Sequence, residues 1–193
     1  MTLDPTIINA IRDQFLGGVS SSPVPTVYCM AGIPGAGKST FVDAALQRGE
    51  FPRQAFLLDP DRVMNAIPQY RDDLQTLGAI EAFSKWELPA RHLAYAMLDD
   101  AAHIKGDIIK DMGCARMENY DKLKALKQSG YRVQMYYIDC PVPDALERIE
   151  HRPRHTPEQL VRDRASGLVE LLPLYQNLAD EFTVLPFRNA PAL

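Results

Sequence analysis

The sequence predicts an α/β fold in which a five-stranded parallel sheet carries helices on both faces. Three observations predict it. Short apolar, β-prone runs at residues 27–31, 55–58, 107–109, 133–138 and 182–185 alternate with segments of helical period, the pattern of parallel strands joined by crossover helices. A glycine-rich loop joins the first of these runs to a helix. Acidic residues follow the second and third, at the edge where open α/β sheets bind ligands. The length of 193 residues suits one well-buried domain, so one domain over 1–193 is expected.

In chain order, residues 6–16 place Ile7, Ile8, Ile11, Phe15 and Leu16 at helical spacing, which predicts an N-terminal helix packed on the core. The stretch Gly17-Gly18-Val19-Ser20-Ser21-Ser22-Pro23 ends it. The first strand, Val27-Tyr28-Cys29-Met30-Ala31, runs into Gly32-Ile33-Pro34-Gly35-Ala36-Gly37-Lys38-Ser39-Thr40, and apolar residues at helical spacing follow through Leu46. This is the G-x-x-x-x-G-K-[S/T] phosphate-binding loop between the strand and helix its chemistry requires. The glycines let successive N–H groups point inward at phosphates, Lys38 reaches the β and γ phosphates, and the Ser39 hydroxyl ligates Mg²⁺. Gly32, Pro34, Gly35, Ala36, Gly37, Lys38, Ser39 and Thr40 are therefore the expected nucleotide-binding residues, in a P-loop NTPase fold.

The second strand ends in Leu57-Leu58-Asp59-Pro60-Asp61-Arg62. Asp61 is placed to orient an attacking hydroxyl and take its proton, or to cap the next helix; Asp59 is placed to contact substrate, or to shape the turn before proline. Residues 90–104 form a long helical stretch, with Arg91 and His92 at its start. The third strand leads into Lys110-Asp111-Met112-Gly113-Cys114-Ala115-Arg116. Asp111 could meet Mg²⁺ or the acceptor, or cap the loop, and Arg116 brings a cation to the same edge. Lys110 interrupts the apolar run, which argues against a central, fully buried strand there. Residues 120–129 read as an amphipathic helix closed by Gly130.

After the fourth strand, Arg148-Ile149-Glu150-His151-Arg152-Pro153-Arg154-His155 holds three arginines and two histidines in eight residues, the composition of a lid over phosphates at about 148–156. Thr156-Pro157-Glu158-Gln159 then marks a helix start, with Thr156 as cap. After the fifth strand, Val184-Leu185-Pro186-Phe187-Arg188-Asn189 falls where a nucleobase could rest.

Composition bounds the partners. A net charge of -4 supplies no broad basic field, so nucleic acid is not the expected partner. No apolar run approaches the ~20 residues of a membrane span, and the first residues lack a signal-peptide pattern. A cytoplasmic protein is expected. Cys29, Cys114 and Cys140 lack metal-ligand spacing and read as free thiols.

The Gly-Ile-Pro-Gly-Ala-Gly-Lys-Ser loop, the strand end Leu58-Asp59-Pro60-Asp61, the helix containing Leu146-Glu147-Arg148 and the run Arg154-His155-Thr156-Pro157-Glu158-Gln159 together resemble the zeta-toxin family of P-loop kinases, over residues 27–189. The resemblance implies ATP-dependent phosphorylation of a hydroxyl of UDP-N-acetylglucosamine and restraint by a small helical antitoxin. It implies Asp61 as catalytic base, Lys38 and Ser39 as phosphate and Mg²⁺ contacts, and Arg148 and Arg154 as the arginines that hold the phosphates. Two departures concern the acceptor. The family's sugar-binding glutamate on the helix before the third strand has no counterpart in Arg91-His92-Leu93-Ala94-Tyr95, and its Glu-Gly-Thr-Gly-Arg becomes Asp111-Met112-Gly113-Cys114-Ala115-Arg116. A small-molecule kinase with another acceptor (an antibiotic, a nucleoside or a polynucleotide end) and a nucleotide-regulated ATPase or binding protein are the alternative readings.

Overall fold

The computed structural model describes residues 3–151 and 156–187. Its strands are β1 (Thr26–Ala31), β2 (Phe56–Leu58), β3 (Ile108–Lys110), β4 (Arg132–Asp139) and β5 (Glu181–Pro186). They form one sheet in the order β2-β3-β1-β4-β5, and every pairing is parallel, with Val27 opposite both Ile108 and Val133. The helices are α1 (Pro5–Leu16), α2 (Lys38–Arg48), α3 (Pro60–Ala66), α4 (Pro68–Thr76), α5 (Ala79–Ile104), α6 (Met117–Gln128), α7 (Val142–Glu150) and α8 (Glu158–Leu178). β3 and β4 flank β1 on opposite sides, and the carboxyl end of β1, at the centre of the sheet, is where ligands of open α/β sheets bind.

Alternation along the strands buries both faces of the sheet. Val27, Cys29 and Ala31 enter the larger core with Phe56, Leu58, Ile108, Val133 and Met135, which the helices other than α2 complete. Tyr28 and Met30 turn the opposite way, to pack with Leu57, Ile109 and Tyr136 under Val42 and Ala45 of α2 and Phe51 just beyond it. Phe51 fills that second core: its ring centroid lies 4.8 Å from Tyr28 and 5.4 Å from Tyr136. Aromatic pairs at such spacings contribute about 0.5–1.5 kcal/mol beyond area burial.

The N-terminal helix packs on the core as its apolar spacing predicts. The Asp4 carboxylate accepts the Thr6 N–H at 2.7 Å, Ile11 is buried, and Arg12 pairs with Asp100 of α5. Among the described residues, no helix is long and apolar enough to cross a membrane.

Three expectations need correction. First, β3 is central and its residues are buried, Lys110 being only 1% exposed. The ammonium finds partners inside, donating to Asn119 Oδ1 at 2.9 Å and Cys114 Sγ at 3.5 Å, which offsets part of the cost of burying it. Second, the long helix starts at Ala79, eleven residues before the predicted start at Ala90, and carries Pro89 inside it. Its buried stripe of Ala82, Trp86, Ala90, Leu93, Ala94 and Met97 continues through the proline, because packing outweighs one missing hydrogen bond. Third, α8 begins at Glu158 with Pro157 in the capping position, so Thr156 stands one residue outside the helix. Proline does stand at the first helical position of α1, α3 and α4.

Candidate functional site

The phosphate loop spans the turn from β1 into α2. Gly35 and Gly37 hold φ of +86° and +93°, a conformation open to glycine, and a Cβ on Gly35 would lie 2.5 Å from the carbonyl oxygen of Ala145 in α7. The loop is thus folded tightly against α7. Lys38 Nζ donates to the carbonyls of Gly32 and Ile33, at 3.0 Å each, so its charge sits over the loop. Ser39 and Thr40 are exposed in the first turn of α2, whose free N–H groups favour an anion.

Arg148, in the last turn of α7, reaches the same place. Its guanidinium carbon stacks 4.3 Å from the ring centroid of Phe187, which follows β5, and its Nη1 is 3.4 Å from where a Gly37 Cβ would stand. Arg154, the second predicted lid arginine, lies outside the described residues, as do Arg152, Pro153 and His155 of the lid and Arg188 and Asn189 of the C-terminal loop.

Beside the loop lies a cleft of about 200 Å³ lined by Asp59, Asp61, Met64, Glu87, Arg91, Asp111 and Gly113, among others. Asp59 ends β2 and caps α3: its Oδ1 accepts the N–H groups of Asp61 at 2.9 Å and Arg62 at 3.2 Å. Its other oxygen meets Arg62 Nε at 3.2 Å, and Arg62 continues to Asp43 of α2 at 2.5 Å. The capping role weighed for Asp61 belongs to Asp59, and Asp61 occupies the first turn that Asp59 caps. Burial, then the charge of Asp111 nearby, raises the Asp59 carboxyl from 3.8 to about 6. Asp111 leaves Oδ1 buried with no protein partner, a hard oxygen donor of the kind that Mg²⁺ takes together with nucleotide phosphates.

The far wall of the cleft was missed in the sequence. Glu87 of α5 stands one turn before Arg91 and pairs with it, while Arg91 Nε is buried without a partner. A glutamate therefore does face this cleft, upstream of the stretch from Arg91 to Tyr95 where it was sought. The signal was the i,i+4 Glu-Arg spacing, obscured because Pro89 hid the first turns of α5. Arg116 is not among the residues lining the cleft; it is exposed at the start of α6. It stands near Arg164 of α8, whose guanidinium is pulled down first by burial and then by the charges of Arg116 and Arg91. Arg164 thus stands within electrostatic reach of Arg116 and of Arg91 in the cleft wall.

The phosphate loop and the cleft touch. Gly113 lines the cleft, its carbonyl accepts the Gly32 N–H at 3.3 Å, and a Cβ on it would come 2.8 Å from Gly32 O and 3.9 Å from Lys38 Nζ.

Comparison with known proteins agrees with the fold. A chain from the PezAT chromosomal toxin-antitoxin system of Streptococcus pneumoniae superposes with a TM-score of 0.69 at 16% identity, over 96% of this chain and 78% of that one. AvrRxo1-ORF1:-ORF2 with ATP gives 0.65 at 18% identity, over 94% of this chain and 61% of that one, so the chain spans about three fifths of that relative's length. A gluconokinase from Sinorhizobium meliloti 1021 gives 0.51 at 14% identity, over 88% and 86% of the two chains. A search of curated protein sequences finds no match. The family model described as Zeta toxin matches residues 12–185, and the chain belongs to the zeta toxin family, on a P-loop kinase fold.

Proposed function

We propose that the protein is an ATP-dependent kinase that transfers the γ-phosphate to a hydroxyl of a small molecule. The observation that carries this reading is the position of Gly113, which lines the carboxylate-bearing cleft while an added Cβ on it would lie 3.9 Å from Lys38 Nζ. A hydroxyl in the cleft is then one residue's thickness from the phosphate that Lys38 would hold, the near-contact that in-line transfer needs.

In this reading Gly32, Pro34, Gly35, Ala36, Gly37, Ser39 and Thr40 cradle the phosphates with Lys38. Asp61 accepts the acceptor's proton, Asp59 holds Asp61 in place, and Arg148, with Arg154, neutralises charge on the transferred group. Mg²⁺ would be held by Ser39 and Asp111, and it supplies charge neutralisation between the phosphates. Glu87 and Arg91 supply one acceptor and one donor to the substrate's other polar groups. Arg91, Arg116 and Arg164 suit an acceptor that carries an anionic portion, and a sugar nucleotide of the UDP-N-acetylglucosamine type meets both demands. A protein antitoxin is the partner this reading implies, as in the PezAT system.

The test is transfer of labelled γ-phosphate from ATP to sugar nucleotides, nucleosides, antibiotics and 5′-hydroxyl oligonucleotides. Transfer to a sugar nucleotide, lost in Lys38→Ala, supports the reading. ATP turnover with water as the sole acceptor contradicts it.

A further inference from the structure

Next to Gly113 lies a buried group that phosphate transfer does not use. Cys29 of β1 is 0% exposed and Cys114 is 1% exposed, and their sulfurs stand 3.3 Å apart, although 85 residues separate them in sequence. The Lys110 ammonium reaches the Cys114 sulfur at 3.5 Å and is otherwise held by Asn119. Cys114 takes φ of +59°, an uncommon conformation for a residue with a Cβ, so the loop turns this sulfur into the core against its backbone preference.

We infer that Cys29 and Cys114 are an oxidisable pair, a modification site that a small peroxide converts to a disulfide and that alters the phosphate loop when it forms. A disulfide needs its sulfurs at ~2.05 Å, so the two close by a little over one ångström from the present contact. The Cys114 sulfur attacks one peroxide oxygen and the O–O bond breaks. This leaves a sulfenic acid on Cys114 and a hydroxide that leaves as water with the thiol proton. The Cys29 sulfur then attacks the Cys114 sulfur, the S–O bond breaks, and the departing hydroxide leaves as a second water with the Cys29 proton. Two thiols lose two electrons in all and one peroxide is reduced to two waters.

Which sulfur reacts first follows from its surroundings. Of the two sulfurs, Cys114 is the one to which the Lys110 ammonium donates, and a cation stabilises the thiolate that attacks peroxide. The S–H of Cys29, and then the charge of Lys110, draw Cys114 down against burial, while Cys29 is driven up. Cys29 is thereby the resolving thiol.

The consequence reaches the nucleotide through Gly113. Cys114 follows Gly113 directly in the chain, and Gly113 is coupled to the phosphate loop: its carbonyl is bonded to the Gly32 N–H, and an added Cβ on it would stand 2.8 Å from Gly32 O, so a shift of the Cys114 backbone toward β1 is felt at Gly32. Gly32 O is also one of the two carbonyls that hold Lys38. Oxidation therefore shifts the seat of Lys38, independently of which acceptor the cleft takes.

The test is hydrogen peroxide treatment of the full chain, with Cys29→Ala and Cys140→Ala alongside. Intact mass, a peptide map under non-reducing conditions and MgATP affinity are read before and after dithiothreitol. The wild type and Cys140→Ala should each lose two hydrogens, yield a Cys29–Cys114 linked peptide and bind MgATP about tenfold more weakly, a change of ~1.4 kcal/mol, until reduced. Cys29→Ala should gain oxygen on Cys114 without forming a link. The absence of the linked peptide from the oxidised wild type, or its presence with unchanged MgATP affinity, overturns the inference.

Discussion

The Asp59 carboxylate accepts the backbone N–H of Asp61 at 2.9 Å, so the residue that ends β2 fixes the one that faces the cleft. Removing the cap should cost stability and disturb Asp61 together. Compared at pH 4, where the folded carboxyl is protonated, Asp59→Ala should lose about 1 kcal/mol, seen as a melting point ~2–4 °C lower, and at neutral pH it should transfer phosphate more slowly. Asp59→Asn keeps a capping oxygen and should melt above Asp59→Ala. Equal melting of Asp59→Ala and the wild type would show that the cap contributes nothing.

Asp59 also predicts a pH dependence. Its folded carboxyl titrates at about 6 against an ordinary 3.8, so between those values the folded chain holds a proton that the unfolded chain releases. That contribution is full below about 3.8 and is lost as pH rises through about 6. It amounts to about 3 kcal/mol as an order of magnitude. Urea denaturation of the wild type and Asp59→Asn between pH 4 and pH 7 reads it as a difference. The wild type should lose stability relative to the variant as pH rises, and a constant difference would contradict the shift.

Gly113→Ala tests the contact between the phosphate loop and the cleft. The added methyl would lie 2.8 Å from Gly32 O, so the phosphate loop or the β3–α6 loop must yield. We expect MgATP affinity to fall about tenfold or more, with far-ultraviolet circular dichroism unchanged. Calorimetric titration showing wild-type affinity would mean that the loops separate freely.

Phe187→Ala should release Arg148 from the stack that holds it over Gly37. A cation–π contact of this kind is worth about 0.5–1 kcal/mol when exposed. The expected result is a kcat several-fold lower with MgATP affinity little changed, and recovery in Phe187→Tyr. A change confined to melting temperature would assign Phe187 to packing alone.

How much of this was legible in the sequence depended on whether the signal was local. The phosphate loop, the alternation of strands and helices and the acidic end of β2 rest on contiguous residues, and each was read at its place. Lys110 was misjudged because its partners, Asn119 and Cys114, belong to the following loop and helix, and burial of a charge is decided by such partners. Glu87 was missed because Pro89 broke a helical pattern that tertiary packing restores. That Asp59, and not Asp61, caps α3 turned on which side chain turns back to the helix start, a choice of rotamer that spacing does not show. Arg116 was read into the cleft from its distance along the chain, yet one extra residue before it places it at the start of α6.

The most direct measurement is the single-turnover rate of γ-phosphate transfer from ATP to UDP-N-acetylglucosamine, or to whichever acceptor the panel selects, in the wild type and Asp61→Asn at saturating MgATP. With Asp61 as the base, the variant should be slower by about 10² to 10⁴ while binding MgATP as the wild type does. Equal rates in the two proteins would contradict it.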